Sequence, residues 1–402
     1  MINSPKLQPA TIESEFGDAV EIHLADESDA VAGVLPQLVA APRDDEAARA
    51  LVKWCGQNNF AFIPRGGGSK LHIGARPSRC DLIISTRHLN TVVEHDEGNA
   101  TVQAGAGISI DHLNEIVNRR GQFVPLDWST PEATLGGVVA TNHFLSTKLR
   151  YGAPRDLVVG LHAALSDGRF VKAGSKVVKN VSGYDLNKLF LGSFGSLGLI
   201  TQVTIRLRPN DELQKFWQKP FATFAEAETA SQQIFNGAFE PAILRVVAQG
   251  SGVLLQARFD GGQASVSTQL ARLPESEANE ISENRSNNEL EIRAQLPLMR
   301  GAKWAQSALA LGASRVLWDC GLGAVRAEWE TAPDNTISIV EDLRKSAIQS
   351  EGFIVVERAP EELKTPDFVW GEKRSDFALM QSLKSTLDAA NVCAPGRFIG
   401  GI

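Results

Sequence analysis

Three consecutive glycines follow a short apolar stretch and are suited to hold a phosphate group. Such a row exposes successive backbone amides, which can point inward at an anion, and glycine lets the main chain approach a ligand closely. Ser69 adds a hydroxyl donor at the end of the row. The loop matches neither the Walker A motif nor the dinucleotide fingerprint, so a flexible surface turn is the alternative. Its residues are Pro64, Arg65, Gly66, Gly67, Gly68 and Ser69.

A second segment combines hydroxyl side chains with a pair of glycines. The pair Gly136-Gly137 is predicted to open a short helix, and the amides at the start of a helix favour anions. The polar side chains around the pair can exchange hydrogen bonds with a ligand, whereas a purely structural capping role is the alternative. These side chains are Thr130, Thr134, Thr141 and Asn142.

A third segment, residues 178–201, is rich in glycine at a spacing that disfavours a helix. Gly192, Gly195 and Gly198 lie three residues apart, and glycine is a poor helix former. A loop whose main chain lies along a flat ligand fits this spacing better. Both tyrosines of the chain, Tyr151 and Tyr184, fall in or near this region.

The composition is that of a globular protein with room for two to three domains. The chain has 402 residues, 43% apolar and 22% charged, and 40 basic against 47 acidic residues give a net charge of −7. This mild acidity gives no electrostatic footprint for nucleic acid. The sequence contains neither a secretory leader nor a run of 18 apolar residues, so we expect a soluble, intracellular protein without an integral membrane segment.

Cysteine and histidine usage restricts the chemistry further. The four cysteines form no C-x-x-C pair, so an iron–sulfur cluster held by this chain alone is excluded and a structural zinc site is not expected. We therefore predict no metal site. All seven histidines lie between His23 and His162, so the C-terminal half has no imidazole to act as a base or a ligand.

Periodicity predicts the elements that must position these segments. A capped, amphipathic helix over 44–58 precedes a buried strand over 60–63, which leads into the first glycine loop. The pattern of the sequence changes after Pro209. Within this later part, the polar, acidic stretch 274–289 is predicted to be a loop. The other predicted strands are 81–85, 91–94, 100–104, 157–165, 169–172, 199–207, 243–247, 253–259, 315–318, 324–329 and 353–357, and the other helices are 109–120, 264–273, 336–348 and 376–389.

In this order and spacing, the segments resemble the vanillyl-alcohol oxidase (PCMH-type) family of FAD-binding proteins. The resemblance extends over roughly residues 36–209, through RGGGSKL, TLGGVVATN and GSKVVKNVSGYDLNKLFLGSFGSLGLITQVTIRLRP, and NVCAPGRF matches near the end of the chain. It implies an α+β fold, in which a PCMH-type FAD-binding domain of two α+β subdomains receives a smaller α+β cap before a C-terminal return. We expect the FAD-binding domain over 1–210, the cap over 211–365, and the returning helix and tail over 366–402.

The resemblance also implies a set of cofactor-binding residues. The first loop would wrap the FAD pyrophosphate, the second segment would line another wall, and the third would contact the cofactor through its main chain. The implied set is Arg65, Gly66, Gly67, Gly68, Ser69, Thr130, Thr134, Gly136, Gly137, Thr141, Asn142, Gly195, Gly198 and Ile200.

The sequence departs from the family pattern at three places. Covalent members carry a histidine where Ser69 stands, so we expect non-covalent FAD. The usual Asn-Pro-Gly reads Ala394-Pro395-Gly396, which removes an expected polar contact. The cap lacks the H-x-G-D-G-N motif of the catalytic members, and no catalytic base can be singled out. Several arginines after Pro209 are candidates to hold a substrate carboxylate, and the alternative is that each is ion-paired or exposed. They are Arg245, Arg315, Arg326 and Arg374.

Within the family, the resemblance is to the smaller flavin subunit of glycolate oxidase. It implies a subunit of a complex that oxidises glycolate, a small 2-hydroxy acid, to glyoxylate. A larger homologous flavin subunit and an iron–sulfur subunit would be its partners, in the cytoplasm or at the inner face of the membrane. Two alternatives remain open: an autonomous FAD-dependent 2-hydroxyacid dehydrogenase, and a structural partner with a vestigial flavin site.

Overall fold

The chain divides into two compact units. A computed structural model describes residues 7–126, 130–143, 146–174, 186–250, 252–274 and 288–402. Unit 1 comprises Met1–Phe144, Ala153–Pro209 and Lys364–Ile402, and unit 2 comprises Leu145–Gly152 and Asn210–Leu363. The short segment 145–152, which the sequence placed in the first domain, thus belongs to unit 2. Most of the predicted acidic loop, and residues 175–185 of the third glycine segment, lie outside the described residues.

Strands and helices alternate along much of the chain. The strands are β1 (Val20–Leu24), β2 (Leu38–Pro42), β3 (Phe62–Arg65), β4 (Leu82–Ser85), β5 (Val92–Asp96), β6 (Thr101–Gly105), β7 (Gln122–Phe123), β8 (Val158–Ala164), β9 (Phe170–Gly174), β10 (Leu199–Arg206), β11 (Arg208–Pro209), β12 (Leu213–Phe221), β13 (Ile243–Gln249), β14 (Gly252–Gly261), β15 (Leu290–Gln295), β16 (Arg315–Asp319), β17 (Ala324–Trp329) and β18 (Phe353–Arg358). The helices are α1 (Pro9–Phe16), α2 (Asp45–Asn58), α3 (Ile110–Asn118), α4 (Leu135–Thr141), α5 (Lys148–Tyr151), α6 (Pro154–Leu157), α7 (Asn187–Phe190), α8 (Phe224–Asn236), α9 (Gln263–Leu270), α10 (Gly301–Ala310), α11 (Thr336–Gln349), α12 (Pro366–Trp370) and α13 (Phe377–Leu387).

The first sheet of unit 1 is buried on both faces. Its strand order is β1-β2-β4-β3, with β2, β4 and β3 parallel and β1 antiparallel to β2. Leu82 and Ile84 face one core cluster while Ile83 faces another, as expected of parallel strands covered on both sides. Helix α2 packs against the first cluster. Its start is fixed by Asp44, whose side chain accepts a hydrogen bond from the Ala47 amide.

The second sheet of unit 1 is antiparallel throughout. Its order is β5-β6-β10-β8-β9, and the short strands β11 and β7 form a separate pair. Helix α3 begins after Ser109, whose hydroxyl accepts a hydrogen bond from the His112 amide. Apolar residues of α3 and α4 join those of β6, β8 and β10 in one core cluster, which fixes α4 against this sheet.

The C-terminal segment of unit 1 extends the first sheet. The Phe62 amide donates to the Val392 carbonyl at 2.8 Å, and the Ala394 amide donates to the Phe62 carbonyl at 2.8 Å. Helix α13 is anchored by Lys384, whose buried ammonium group donates to Asp388 at 2.7 Å and to the Ser196 carbonyl at 2.8 Å. The tail therefore runs beside β3, the strand that leads into the first glycine loop.

Unit 2 is built on a seven-stranded antiparallel sheet. The strand order is β12-β14-β13-β16-β17-β15-β18. Helices α8, α10 and α11 pack on the apolar residues of these strands, where Trp318 stacks on Phe224 with ring centroids 5.8 Å apart. Alternate residues along the strands are charged and paired, as expected for the opposite face of a sheet. The pairs are Arg258–Asp260, Arg293–Glu357, Arg315–Glu328 and Arg326–Glu291.

Candidate functional site

The three glycine segments meet at one pocket within unit 1. The empty space of the pocket, its open mouth included, is about 710 Å³. Its wall is formed by Ile63, Pro64, Arg65, Gly66, Gly67, Gly68, Ser69, Lys70, Leu71, Ala133, Thr134, Gly137, Val138, Ala140, Thr141, His143, Phe194, Gly195 and Arg397.

The first loop presents a row of unused amides to this pocket. Strand β3 ends at Arg65, whose carbonyl accepts from the Thr86 amide at 2.9 Å and whose guanidinium pairs with Asp29 at 2.5 Å. The amides from Gly66 to Ser69 donate no hydrogen bond to any described residue. Gly68 has a φ of +78°, a conformation that glycine adopts without strain. Successive amides of this kind form a concave site for an anion.

The amides at the start of α4 are not available to a ligand, contrary to the sequence prediction. The Leu135 amide donates to the Ile108 carbonyl at 2.9 Å, and the Gly136 amide donates to the Ala106 carbonyl at 2.8 Å. The Gly137 amide donates to the Thr134 hydroxyl at 3.3 Å. The start of α4 is therefore committed to its own cap and to the loop before α3, and the predicted anion site at this helix start is wrong.

Gly195 brings the third segment to the pocket wall. Phe194 and Gly195 have φ values of +52° and +76°, and the Phe194 amide donates to the Ala140 carbonyl at 2.9 Å. The Phe194 ring lies 5.0 Å from that of Trp370 and 5.8 Å from that of Phe398, between centroids. This aromatic cluster fixes one side of the pocket, because three mutually packed rings leave the Phe194 side chain little rotamer freedom.

Several glycines are required where loops of unit 1 touch each other. A Cβ atom on Gly67 would lie 1.6 Å from the Glu132 carbonyl oxygen, and one on Gly66 would lie 2.0 Å from the Thr134 hydroxyl. A Cβ on Gly137, in contrast, would meet only Thr134, at 3.1 Å. Glycine at 66 and 67 thus lets two segments pack together, whereas position 137 leaves room for a small side chain at the pocket wall.

Five residues of the predicted set do not form the pocket wall. Gly198 packs against β8, since a Cβ there would lie 2.6 Å from the Ala164 carbonyl oxygen, and Ile200 is a buried strand residue that pairs with Ala163. The hydroxyl of Thr130 and the side-chain oxygen of Asn142 are buried without a hydrogen-bond partner among the described residues. The five residues are Thr130, Gly136, Asn142, Gly198 and Ile200.

Arg397 lies at the pocket wall and was not singled out from the sequence. Its side chain is buried, with 2% of the residue exposed, and Nη2 donates to the carbonyls of Leu71 at 3.0 Å and Ile73 at 2.6 Å. Burial lowers the pKa of the guanidinium to about 10, so the group remains cationic at neutral pH. The position one residue beyond Pro395-Gly396 is the only sequence signal that could have drawn attention to it.

The four candidate carboxylate-binding arginines already have partners in the structure. Arg245 is 1% exposed and donates to Gln256 at 3.0 Å, while Arg315 and Arg326 lie 3.7 and 3.2 Å from the carboxylates of Glu328 and Glu291. The fourth, Arg374, is exposed and lies 3.5 Å from Asp376. The contacts of Arg315, Arg326 and Arg374 match the ion-paired alternative, and none of the four arginines is singled out as a substrate-binding residue.

The cysteines are unsuited to metal ligation as they stand. All four are buried, and burial raises the pKa of each thiol, to about 12 for Cys80. A metal ligand must be a thiolate, which this environment disfavours. Within the described ranges, no three acidic, histidine or cysteine side chains are grouped closely enough to hold a metal ion, and no helix has the length and apolar character needed to cross a membrane.

The family of this pocket is given by a direct match. Residues 36–174, which contain the first loop and α4, match the model of the family described as "FAD binding domain". The chain carries a PCMH-type FAD-binding domain. This confirms the expected α+β fold class and FAD as the cofactor of the domain.

Curated relatives of this FAD-binding domain include several oxidoreductases of 2-hydroxy acids. Glycolate oxidase subunit GlcD of Bacillus subtilis is 30% identical over 223 residues, 55% of this chain and 47% of that protein. D-lactate dehydrogenase of Archaeoglobus fulgidus is 36% identical over 190 residues, 47% of this chain and 43% of that protein. D-2-hydroxyglutarate dehydrogenase of Stutzerimonas stutzeri is 28% identical over 173 residues, 43% of this chain and 37% of that protein. The match thus spans less than half the length of these relatives.

Solved structures support the fold over nearly the whole chain. Alkyldihydroxyacetonephosphate synthase, in two crystal forms, aligns with TM-scores of 0.71 and 0.70 over 98% of this chain and 86–87% of that protein, at 17% identity. At this identity the similarity concerns the fold alone. The residues at the pocket fit FAD, because the unused amides from Gly66 to Ser69 are suited to the oxygens of a pyrophosphate.

Proposed function

We propose that this chain is a non-covalent FAD-binding subunit of a complex that oxidises a small 2-hydroxy acid, with glycolate as the substrate and glyoxylate as the product. The observation that carries the proposal is the row of four amides, Gly66 to Ser69, that donate to no residue the structure describes, on a pocket that also includes Gly137 and Gly195. FAD bound there would supply the two-electron oxidation of the hydroxyl-bearing carbon. Ser69 offers a hydroxyl and no imidazole, which supports a non-covalent cofactor.

The residues of this chain are assigned to holding and orienting the cofactor. The first loop would bind the anionic pyrophosphate, and Gly137 and Gly195 would let main chain lie against the cofactor, since neither carries a side chain. Thr134 and Thr141 would shape the wall: the Thr141 hydroxyl donates to the Gly137 carbonyl at 2.8 Å and so is occupied in holding α4.

In the oxidation itself, we propose that this chain supports another subunit that carries out the turnover. Removing a hydride from a 2-hydroxy acid requires a base near the hydroxyl and a cation for the carboxylate. Unit 2 contains no histidine, and its candidate arginines are already paired. We therefore assign turnover to a larger homologous flavin subunit. We further propose that the electrons leave through a separate iron–sulfur subunit, because the buried thiols of this chain are unsuited to hold a cluster. We place the complex in the cytoplasm or at the inner face of the membrane.

Purification of the chain alone tests the first half of the proposal. We expect a visible flavin spectrum, with FAD released by acid in a ratio near one per chain. A purified chain that neither retains nor binds added FAD would support a vestigial site instead. Acid treatment is decisive for the linkage, because covalent flavin would stay with the precipitated protein.

Anaerobic addition of glycolate or D-lactate tests the second half. We expect no bleaching of the flavin of the isolated chain, and bleaching once a larger flavin subunit is added. Rapid bleaching of the isolated chain would show an autonomous dehydrogenase and would refute the supporting role. Co-purification from the native source, followed by identification of a second flavoprotein and an iron–sulfur protein, tests the partners.

A further inference from the structure

The guanidinium of Arg397 is a buried cation with no counter-ion in the part of the chain that the structure describes. No carboxylate among the described residues lies within ion-pair distance of it, and its two hydrogen bonds from Nη2 go to the neutral carbonyls of Leu71 and Ile73. Its Nη1 has no partner among those residues and is itself buried. A buried charge without a partner is costly, so a protein keeps one where a ligand of opposite charge completes the site.

Arg397 shares the pocket with the row of free amides. The Gly66 to Ser69 loop and Arg397 belong to the same wall, and Leu71, whose carbonyl holds the guanidinium, lies two residues beyond Ser69. The carbonyls fix one nitrogen, so Nη1 remains as a preset donor. A planar guanidinium in the same pocket wall as several amides is suited to phosphate oxygens, which both kinds of donor bind.

We propose that Arg397 binds the pyrophosphate of FAD through Nη1 and neutralises part of its charge. The proposal rests on the proposed function, since it requires FAD in this pocket. The pyrophosphate is the anionic part of oxidised FAD at neutral pH, whereas the flavin ring and the adenine are uncharged. Arg397 is thus a binding residue that the motif comparison did not assign, contributed by a segment more than 300 positions beyond the loop it assists.

A purely structural role for Arg397 is the competing explanation. A second buried cation, Lys364, contacts the same loop: its ammonium group donates to the His72 carbonyl at 2.9 Å, and the residue is 5% exposed. Lys364 is not part of the pocket wall. It is a matched control, because removing it disturbs the same loop without changing the charge at the pocket.

The test compares apoproteins of wild type, Arg397→Gln, Arg397→Lys and Lys364→Met. Arg397→Gln removes the charge but keeps a donor for one carbonyl, and Arg397→Lys keeps the charge. FAD binding is followed by fluorescence titration, ADP is used as a competitor that carries the pyrophosphate without the flavin, and melting temperatures are recorded with and without FAD.

We expect Arg397→Gln to weaken FAD and ADP in parallel, by on the order of tenfold to a hundredfold, the range for a hydrogen bond to a charged group. Arg397→Lys should recover part of the loss, and Lys364→Met should change either affinity less than about threefold. The Arg397→Gln apoprotein should melt no lower than wild type, because an uncompensated buried charge has been removed, while its stabilisation by FAD shrinks.

Three results would overturn the assignment. Arg397→Gln and Lys364→Met could weaken FAD equally, which would indicate loop packing. Arg397→Gln could weaken FAD while leaving ADP competition unchanged, which would place the contact at the flavin end. The Arg397→Gln apoprotein could melt well below wild type, which would indicate a structural role. The same conclusion would follow if Arg397→Gln failed to fold while Arg397→Lys folded and bound FAD no more weakly than wild type. A wild-type chain that binds no FAD refutes the proposed function instead, and this outcome is visible before any variant is made.

Discussion

Replacing Lys384 with methionine is expected to destabilise unit 1 by ~3–5 kcal/mol, the cost of breaking a buried ion pair from one side. The ammonium group makes three hydrogen bonds, to Asp388, to the Ser196 carbonyl and to the Cys393 carbonyl, at 2.7, 2.8 and 2.8 Å. Methionine fits the space of the lysine stem but leaves two carbonyls without a donor. Asp388 would keep the Ser166 hydroxyl at 2.6 Å and lose its only positive neighbour among the described residues.

The assay is urea unfolding of the apoprotein at neutral pH, followed by far-ultraviolet circular dichroism. Gln381→Met is the matched control, because it introduces the same residue at an exposed position of the same helix and should stay within about 0.5 kcal/mol of wild type. The double variant Lys384→Met, Asp388→Asn should recover about 1 kcal/mol or more relative to Lys384→Met, since the uncompensated charge is gone. A Lys384→Met variant as stable as Gln381→Met, or a double variant less stable than the single one, would refute this reasoning.

Three further predictions concern the pocket and the acid stability of unit 1. Gly67→Ala should lower the stability of the apoprotein by ~1–3 kcal/mol and also weaken FAD binding, because the new Cβ meets a backbone carbonyl. Gly137→Ala should leave the melting temperature of the apoprotein near wild type and weaken FAD binding alone. Variants that are indistinguishable in thermal melting and in FAD titration would contradict this. Ser69→Ala should weaken FAD by about 1 kcal/mol, a roughly fivefold rise in Kd by titration, and an unchanged Kd would show that the hydroxyl does not reach the cofactor. Burial alone would raise the pKa of Asp388, but Lys384 and the hydrogen bonds to the carboxylate hold this pKa below its usual value. The stabilisation that the ionised Asp388 contributes is therefore present above about pH 4 and is lost as the pH falls further. In a plot of the urea midpoint against pH, Asp388→Asn should flatten the acid part, and an acid part parallel to that of wild type would contradict this.

Local signals were sufficient to predict the amphipathic helices. The predicted helices 44–58 and 109–120 correspond to α2 (Asp45–Asn58) and α3 (Ile110–Asn118). In both, a side chain caps the first turn and apolar residues recur at helical spacing, so a window of about fifteen residues contains the information. The predicted strands of unit 1 agree with the observed strands to within about two residues for the same reason.

Strand β2 shows where local patterning fails. All five residues of Leu38–Pro42 are buried, so the strand has no alternation of apolar and polar residues, and it ends in a proline. A short apolar run of this kind cannot be told from a loop or a helix fragment by periodicity. Its place in the sheet depends on pairing with β1 and β4, which no local window contains.

The glycine motifs located the pocket but did not give the role of each glycine. A Cβ atom at Gly67 would meet the backbone of another loop of the protein, whereas one at Gly137, which lines the pocket, would meet only the Thr134 hydroxyl. This difference is set by the packing of distant segments. Arg397 was missed for the same reason, because the Leu71 carbonyl that holds its guanidinium lies 326 positions away in the chain.

The late pairing of the tail with β3 has a consequence for biosynthesis. Unit 2 has all its strands once residue 363 has left the ribosome, whereas unit 1 is split into three pieces and lacks the stretch beside Phe62 until residues 392–394 are made. Contacts between such distant positions form slowly. Until residues 392–397 are made, the edge of β3 is unpaired and the guanidinium of Arg397 is missing from the pocket wall. We therefore expect cofactor loading to follow their synthesis, and a nascent chain stalled before residue 390 to expose an unpaired edge that chaperones recognise.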